Sequence, residues 1–137
     1  MVPLVKFAIF LKRKEGLSVE AFNKQYAPSS SSHSNFSWSE SHAALFKRIP
    51  IAQKNLVKYV QYHINAEASA IIGTVMPIVS FDGAAIFYAR SQEELLAVFR
   101  HPEYLSVVVP DEESFIDRPA SQVMVGYEEV KLESVQV

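Results

Sequence analysis

The order of its segments most constrains what this chain can fold into. Four stretches with strand character alternate with stretches of helical character. "LVKFAIFLKR" (4–13) is rich in β-branched and aromatic residues, and Val5, Phe7, Ile9 and Leu11 share one face at a period of two. "KNLVKYVQYHIN" (54–65), "SFDGAAIFYA" (80–89) and "SQVMVGYEEVKLE" (121–133) read as the other three strands. After the first strand, "KEG" makes a turn and Ser18 stands where a helix N-cap belongs. Phe22 and Tyr26 follow, four apart on one face. Pro28 and a serine run stop that helix, and a helical pattern resumes around Trp38, with His42, Leu45 and Phe46 sharing a side. "AEASAIIG" predicts a short helix ended by Gly73. "SQEELLAVFRHPEYLSVVV" opens with a capping box, Ser91 to Glu94, and is helical at least to Phe99. Pro102 starts a further turn. "PDEESFIDRP" reads as a solvated acidic loop in which Asp111 and Asp117 cap neighbouring elements.

The resulting order, β-α-β-(short α)-β-α-β, predicts an α+β fold of the ferredoxin-like split βαβ type, with one antiparallel sheet and helices on one face. The 137 residues, 49% of them hydrophobic, suit a single domain spanning 1–137 with a real core. The other sheet face also carries apolar side chains, including Phe7 or Phe10. One layer of helices cannot cover both faces, so a homodimer formed through the bare face is expected. The serine-rich stretch near 27–37, "APSSSSHSNFS", is too short to separate domains and reads as an insertion that loops out.

Composition removes several function classes. The net charge of −2 gives no general attraction to nucleic acid or anionic membrane. The chain has no cysteine, so disulfides, thiolate metal sites and a cysteine nucleophile are excluded; a reducing, cytoplasmic setting is expected. No apolar run reaches the ~20 residues that span a bilayer. The charges of "MVPLVKFAIFLKRK" follow its apolar run, so it reads as the first strand and not as a signal peptide. His33, His42, His63 and His101 show no metal-ligand spacing, and no metal site is expected, although one axial histidine would still admit haem. Neither a phosphate-binding glycine loop nor a Gly-x-Ser-x-Gly elbow is present. Adjacent Ser41 and His42 on a helix point about 100° apart and do not make a hydrolase pair.

Three groups remain as candidate chemistry. His42 is a general acid or base, or a helix histidine with its ring in water. His63 shares a strand face with Tyr59 and Gln61. The three line a ligand cleft, or they are the polar face of an edge strand. Asp82 orients a histidine, or is half of an Asp-Gly turn. Tyr104, Phe87, Phe99 and Phe115 are core or cleft wall.

Taken in order, "KRKEGLSVEAF" (12–22), "SWSESHAALF" (37–46), "KYVQYHIN" (58–65), "FDGAAIFYA" (81–89) and "HPEYLSVVVPDEESFID" (101–117) resemble EthD-like proteins, in particular the fungal branch that tailors aromatic polyketides. The resemblance covers nearly the whole chain. It implies a dimeric α+β barrel in which two ferredoxin-like sheets pack face to face, with a small-molecule cleft between each sheet and its own helices. It also implies a decarboxylase or dehydratase that uses no metal or organic cofactor. More distant relatives of the fold are cofactor-free monooxygenases or bind haem. Trp38 and His42 match the family's Trp-x-x-x-His segment, and the serine tract departs from the family by separating Phe22 from Trp38. On this resemblance the catalytic set is His42 and His63, supported by Asp82. Trp38, Tyr59, Gln61, Phe46 and Tyr104 would contact a small aromatic substrate. The expected function is a cofactor-independent lyase, with a cofactor-free monooxygenase or a non-catalytic ligand-binding protein as the alternatives.

Overall fold

The structure is a computed structural model that describes residues 2–22 and 42–134. Trp38, His33, Tyr26 and the serine-rich stretch lie outside the described residues. The strands are β1 (Val5–Leu11), β2 (Leu56–His63), β3 (Gly83–Ala89) and β4 (Gln122–Gly126). They form one antiparallel sheet in the order β2-β3-β1-β4. Each strand predicted from the alternation is present. The sheet is the mixed α+β, ferredoxin-like arrangement predicted from the segment order.

Between β1 and β2 lie α1 (Val19–Phe22), α2 (Ala43–Lys47) and α3 (Pro50–Asn55). Ser18 Oγ accepts from the Ala21 amide, as an N-cap should. Gly16 has φ +89°, which lets the "KEG" turn close without strain. Then α4 (Ala66–Ile72) is capped by Asn65, whose side chain accepts from the Ala68 amide, and it ends at Gly73. α5 (Gln92–Arg100) is capped by Ser91, which accepts from the Glu94 amide.

The largest departure from the sequence reading follows α5. Residues 104–108 form a π-turn, Tyr104–Val108, that runs straight into α6 (Val109–Glu113). The acidic stretch predicted as a loop is therefore helical. Pro110 has no amide to donate, and its ring would crowd the carbonyl one turn back in a regular α-helix. The wider π-turn before it relieves that conflict and lets the helix continue.

The helices cover one face of the sheet. Phe7 and Ile9 of β1, Ala85 and Phe87 of β3 and Tyr59 of β2 point toward them. They pack with Phe46, Leu95, Val98, Tyr104 and Val108 in the main core. The opposite face carries Ala8, Phe10, Val60, Tyr62, Ala84 and Ile86 with no helical layer over its middle. Tyr62 is 63% exposed there. β4 is an edge strand and is shorter than the predicted 121–133. Beyond Gly126 no described strand offers it a partner, and Val130 and Leu132 stand in water.

Asp82 takes a structural place. One carboxylate oxygen accepts from the Arg13 amide at 2.8 Å and the other from its guanidinium at 2.7 Å. Arg13 Nε also donates to the Leu17 carbonyl. Asp82 therefore ties the exit of β1 to the entry of β3 and holds the turn that leads into α1. This corrects the expectation that Asp82 supports a histidine, because Arg13 occupies both of its oxygens. Asp82→Ala is expected to lower stability by about 1–3 kcal/mol, because it leaves the part-buried Arg13 amide without its partner and removes one of the two contacts of the guanidinium. Urea unfolding measures this, and an unchanged midpoint and slope would contradict the role.

Candidate active site

Between the sheet and the helices lies a cavity of about 580 Å³. Its walls are mainly aromatic and aliphatic, from Phe7, Phe46, Tyr59, Phe87, Phe99 and Tyr104. Phe87 and Tyr59 stack at 4.9 Å, and Phe46 meets Tyr59 edge-on at 5.2 Å. Such rings are stiff and present flat faces, which suits a flat ligand. The space exists partly because Ala85 sits beneath it on β3, where a larger side chain would fill it.

The polar groups cluster at one end. His42, only 6% exposed, stands at the start of α2 with its ring edge-on to Phe115 at 5.4 Å. Its Nδ1 lies 2.8 Å from an Asp111 carboxylate oxygen. An ionised carboxylate only accepts, so Nδ1 carries the proton and Nε2 is left toward the cavity. Glu112 lies on that side, 3.7 Å from Nε2, and it too lines the cavity. Tyr104 donates to the same Glu112 oxygen at 2.9 Å, while Arg118 Nε pairs with the other at 3.2 Å. Burial pushes the Glu112 carboxyl above its ordinary range, against the opposing pull of His42, Tyr104 and Arg118. Burial, with the Glu112 charge and its hydrogen bond added, also pushes the Tyr104 hydroxyl up, so it stays a neutral donor.

One end of the cavity thus holds a histidine oriented by one carboxylate and a second carboxyl whose pKa burial raises. That pair can take a proton and give one within a single site. Asp111 and Glu112 lie on opposite sides of the imidazole and do not converge on one point. Among the described residues no group of three or more His, Cys, Asp or Glu side chains is arranged to hold a metal ion.

Comparison with known proteins agrees with this architecture. The model of the EthD domain matches residues 31–119, most of the chain. The chain belongs to the EthD domain family. Among solved structures, it is similar to an ethyl tert-butyl ether D (EthD) family protein from Bacillus halodurans C-125, with 20% identity over 92% of this chain and 99% of that one, at a TM-score of 0.58. A dimeric ferredoxin-like protein of unknown function from Thermobifida fusca YX matches at 9% identity over 92% of each chain, with a TM-score of 0.54. SnoaB, a cofactor-independent oxygenase from Streptomyces nogalater, matches at 11% identity over 97% of this chain and 100% of that one, with a TM-score of 0.53. At these identities the likeness is one of fold. No curated protein matches the chain. No helix among the described residues is long and apolar enough to cross a membrane.

Within this EthD domain the predicted site residues separate into groups. His42, Phe46, Tyr59 and Tyr104 line one cavity. Gln61 and His63 extend from Tyr59 along β2: Gln61 donates to the Tyr59 hydroxyl at 3.2 Å, and His63 Nε2 lies 3.1 Å from the Gln61 carbonyl oxygen. His63 itself lines a second hollow beside α4, with Tyr62 and Phe81. Its burial pushes the imidazole pKa down. Tyr59 is pushed up to about 12, chiefly by burial, so it too stays protonated. Asp82 lies with Arg13, and the orienting carboxylate is Asp111. Asp111, Glu112 and Arg118 were not among the predicted site residues. Their signal was the four-residue spacing of Tyr104, Val108 and Glu112, which puts an acid on the face of a buried aromatic once the segment is known to be helical.

The raised carboxyl has a testable consequence. A group whose folded-state pKa is raised favours the folded state fully below its unfolded value, near 4.5, and that contribution is lost as pH rises through the folded value. Glu112→Gln removes this titration. The stability difference between variant and parent should therefore move in the variant's favour as pH rises from below 4.5 through the raised folded value. Urea unfolding of both proteins over that range measures it. Parallel pH profiles would show that the carboxyl titrates as an ordinary one.

Proposed function

We propose that this EthD domain is a cofactor-independent lyase that acts in the cytoplasm on an aromatic polyketide intermediate, removing CO2 or water. The observation that carries this reading is the His42–Asp111 pair beside Glu112 at the end of an aromatic cavity. The cavity's flat walls would hold a fused-ring substrate by stacking. Loss of CO2 from a hydroxyaryl or β-keto acid breaks the carbon–carbon bond and leaves its electron pair on carbon, which then takes a proton. His42 Nε2, once protonated, or Glu112 would deliver it. Arg118 lines the same cavity and offers a cation for the substrate carboxylate. Loss of water from a cyclic hemiketal would use the pair differently. His42 Nε2 would take a proton from carbon, and the Glu112 acid would protonate the departing hydroxyl.

A second reading has its own observation. SnoaB, a cofactor-independent oxygenase, shares the fold over nearly all of both chains. An oxygenase would use the same cavity and would need O2, whereas a lyase would not. Anaerobic incubation with candidate polyketide acids and hemiketals, followed by mass analysis, separates the cases. The expected product lacks the mass of CO2 or of water. Turnover only in air would favour the oxygenase. Full turnover by a folded His42→Ala protein would remove His42 from the chemistry; the expected loss is about 10²–10⁴-fold.

The proposed assembly is a homodimer through the open sheet face, leaving each cavity on the helical side of its own sheet. The support is the apolar middle of that face, around Val60 and Ile86, which carries no helical layer, together with the exposed apolar residues of β4 and of 127–132. A stable pair of this kind buries roughly 1,600 Å². Sedimentation at micromolar concentration is expected to give a dimer, and a monomer would count decisively against it.

A further inference from the structure

Tyr59, the residue of β2 that lines the cavity, heads a hydrogen-bonded series of three side chains that runs away from the cavity along the strand, and the series has a direction. Tyr59, Gln61 and His63 stand at alternate positions of β2 and so share the helical face of the sheet. Beside them on β3 are Phe87, Ala85 and Gly83, so the rows under Gln61 and His63 are small. The Gln61 carbonyl oxygen faces His63 Nε2, and its NH2 donates to the Tyr59 hydroxyl oxygen. Tyr59 thereby receives a hydrogen bond from the strand. Its ring is pinned by stacking on Phe87 and by the edge of Phe46, leaving the hydroxyl little freedom except rotation of its hydrogen.

Resting on the reading of the cavity as a site for an aromatic substrate, we propose that Tyr59 donates a hydrogen bond to a ketone or quinone oxygen of that substrate, and that Gln61 and His63 are positioning residues that keep Tyr59 a donor. With an accepting place on Tyr59 taken by the amide, its proton is the group available to a ligand. Tyr59 and His42 line the same cavity. A flat ketone held at Tyr59 by its oxygen would then present a ring carbon toward His42. The substrate class this selects is an aromatic ketone in which the carbonyl is conjugated with the reacting carbon. Electron density that develops during proton transfer at that carbon would be drawn to the oxygen held by Tyr59. His63 accordingly acts through Gln61, and the expectation that it moves a proton itself is replaced by a positioning role.

The direction of the series makes the test specific. The probe is fluorenone, a flat aromatic ketone with one carbonyl. Its C=O stretching frequency falls when the oxygen accepts a hydrogen bond, and infrared difference spectra of the bound ketone read that shift. The parent protein is expected to bind fluorenone with a lowered carbonyl frequency. Tyr59→Phe should abolish the lowering and weaken binding by about tenfold, the worth of one hydrogen bond. Gln61→Glu should do the same, because a carboxylate accepts the Tyr59 proton and turns the donor away from the ligand. Gln61→Leu should diminish the lowering without abolishing it, since Tyr59 loses the amide that directs its hydroxyl but gains no group that accepts from it. His63→Phe should broaden the carbonyl band by removing the donor on the amide oxygen. A purely structural role for Gln61 would make the leucine variant at least as damaging as the glutamate one, and that ordering would overturn the proposal. So would a bound parent spectrum with the unbonded carbonyl frequency. If fluorenone does not bind the parent at all, the aromatic reading of the cavity falls, and this proposal with it. Circular dichroism melting of each variant excludes unfolding as the cause.

Discussion

The rest of the fold depends on the packing of Phe46. Its ring lies within 5.2–6.2 Å of Tyr59 on β2, Phe87 on β3, Phe99 on α5 and Tyr104 in the π-turn. One side chain therefore joins two strands to two helical segments. Aromatic rings are rigid and meet in preferred edge-on and offset geometries, so the cluster holds its shape. The same contacts that hold the helical layer on the sheet thus keep a hollow open beside it. Stability and the cavity come from one cluster, so a change to Phe46 would disturb both together.

Electrostatics at the end of that hollow follows from the helix that closes it. α6 carries Asp111 and Glu112 side by side, and neighbours on a helix point about 100° apart. This divergence lets one carboxylate reach His42 Nδ1 and the other lie near Nε2. Two acids on a loop would more readily turn to water, where ionisation is easy. Held on a helix against Tyr104 and Phe115, Glu112 is desolvated instead. It keeps its charge only through Arg118, Tyr104 and His42, and each of these is a group that a ligand or proton can displace. The π-turn ahead of Pro110 thereby serves the site, because without it the helix would end before both carboxylates.

The parts of this architecture that depend on local chemistry could be read from the sequence. Alternation in 4–13 placed β1, and Ser18, Ser91 and Gly73 marked helix ends at the positions where they occur. The period of two grouped Val5, Phe7, Ile9 and Leu11 on one face of β1, but with Phe7 and Phe10 on opposite faces it did not say which face meets the helices. The parts that depend on distant pairing could not be read. His42 and Asp111 are 69 residues apart, and so are Arg13 and Asp82. An Asp-Gly pair at a strand start looks the same whether its carboxylate meets an arginine or a histidine. The stretch from Pro110 reads as a loop because it is acidic and bounded by prolines, and nothing local in it shows that a π-turn carries the helix through Pro110. The matched tryptophan of the EthD pattern, Trp38, lies outside the described residues, so the predicted site is seen here from His42 onward.

The two sets of polar groups that reach the cavity, one on the helical side and one through Tyr59, are built on different principles. On the helical side, orientation comes from charge: a carboxylate fixes the imidazole tautomer, and a desolvated acid stands beside it. On the strand side it comes from backbone register, which sets Tyr59, Gln61 and His63 in a row with no ionised member required. Charge-based orientation changes with pH and with any bound ion, whereas a row of neutral groups on a strand does not. A site that must move protons at one end while gripping an uncharged oxygen at the other benefits from keeping these functions apart. In the proposed reaction the sheet would supply the fixed grip and the helix the groups whose protonation changes. The strand wall is therefore the part of the site that would determine which substrate fits, and the helical wall the part that would determine what happens to it.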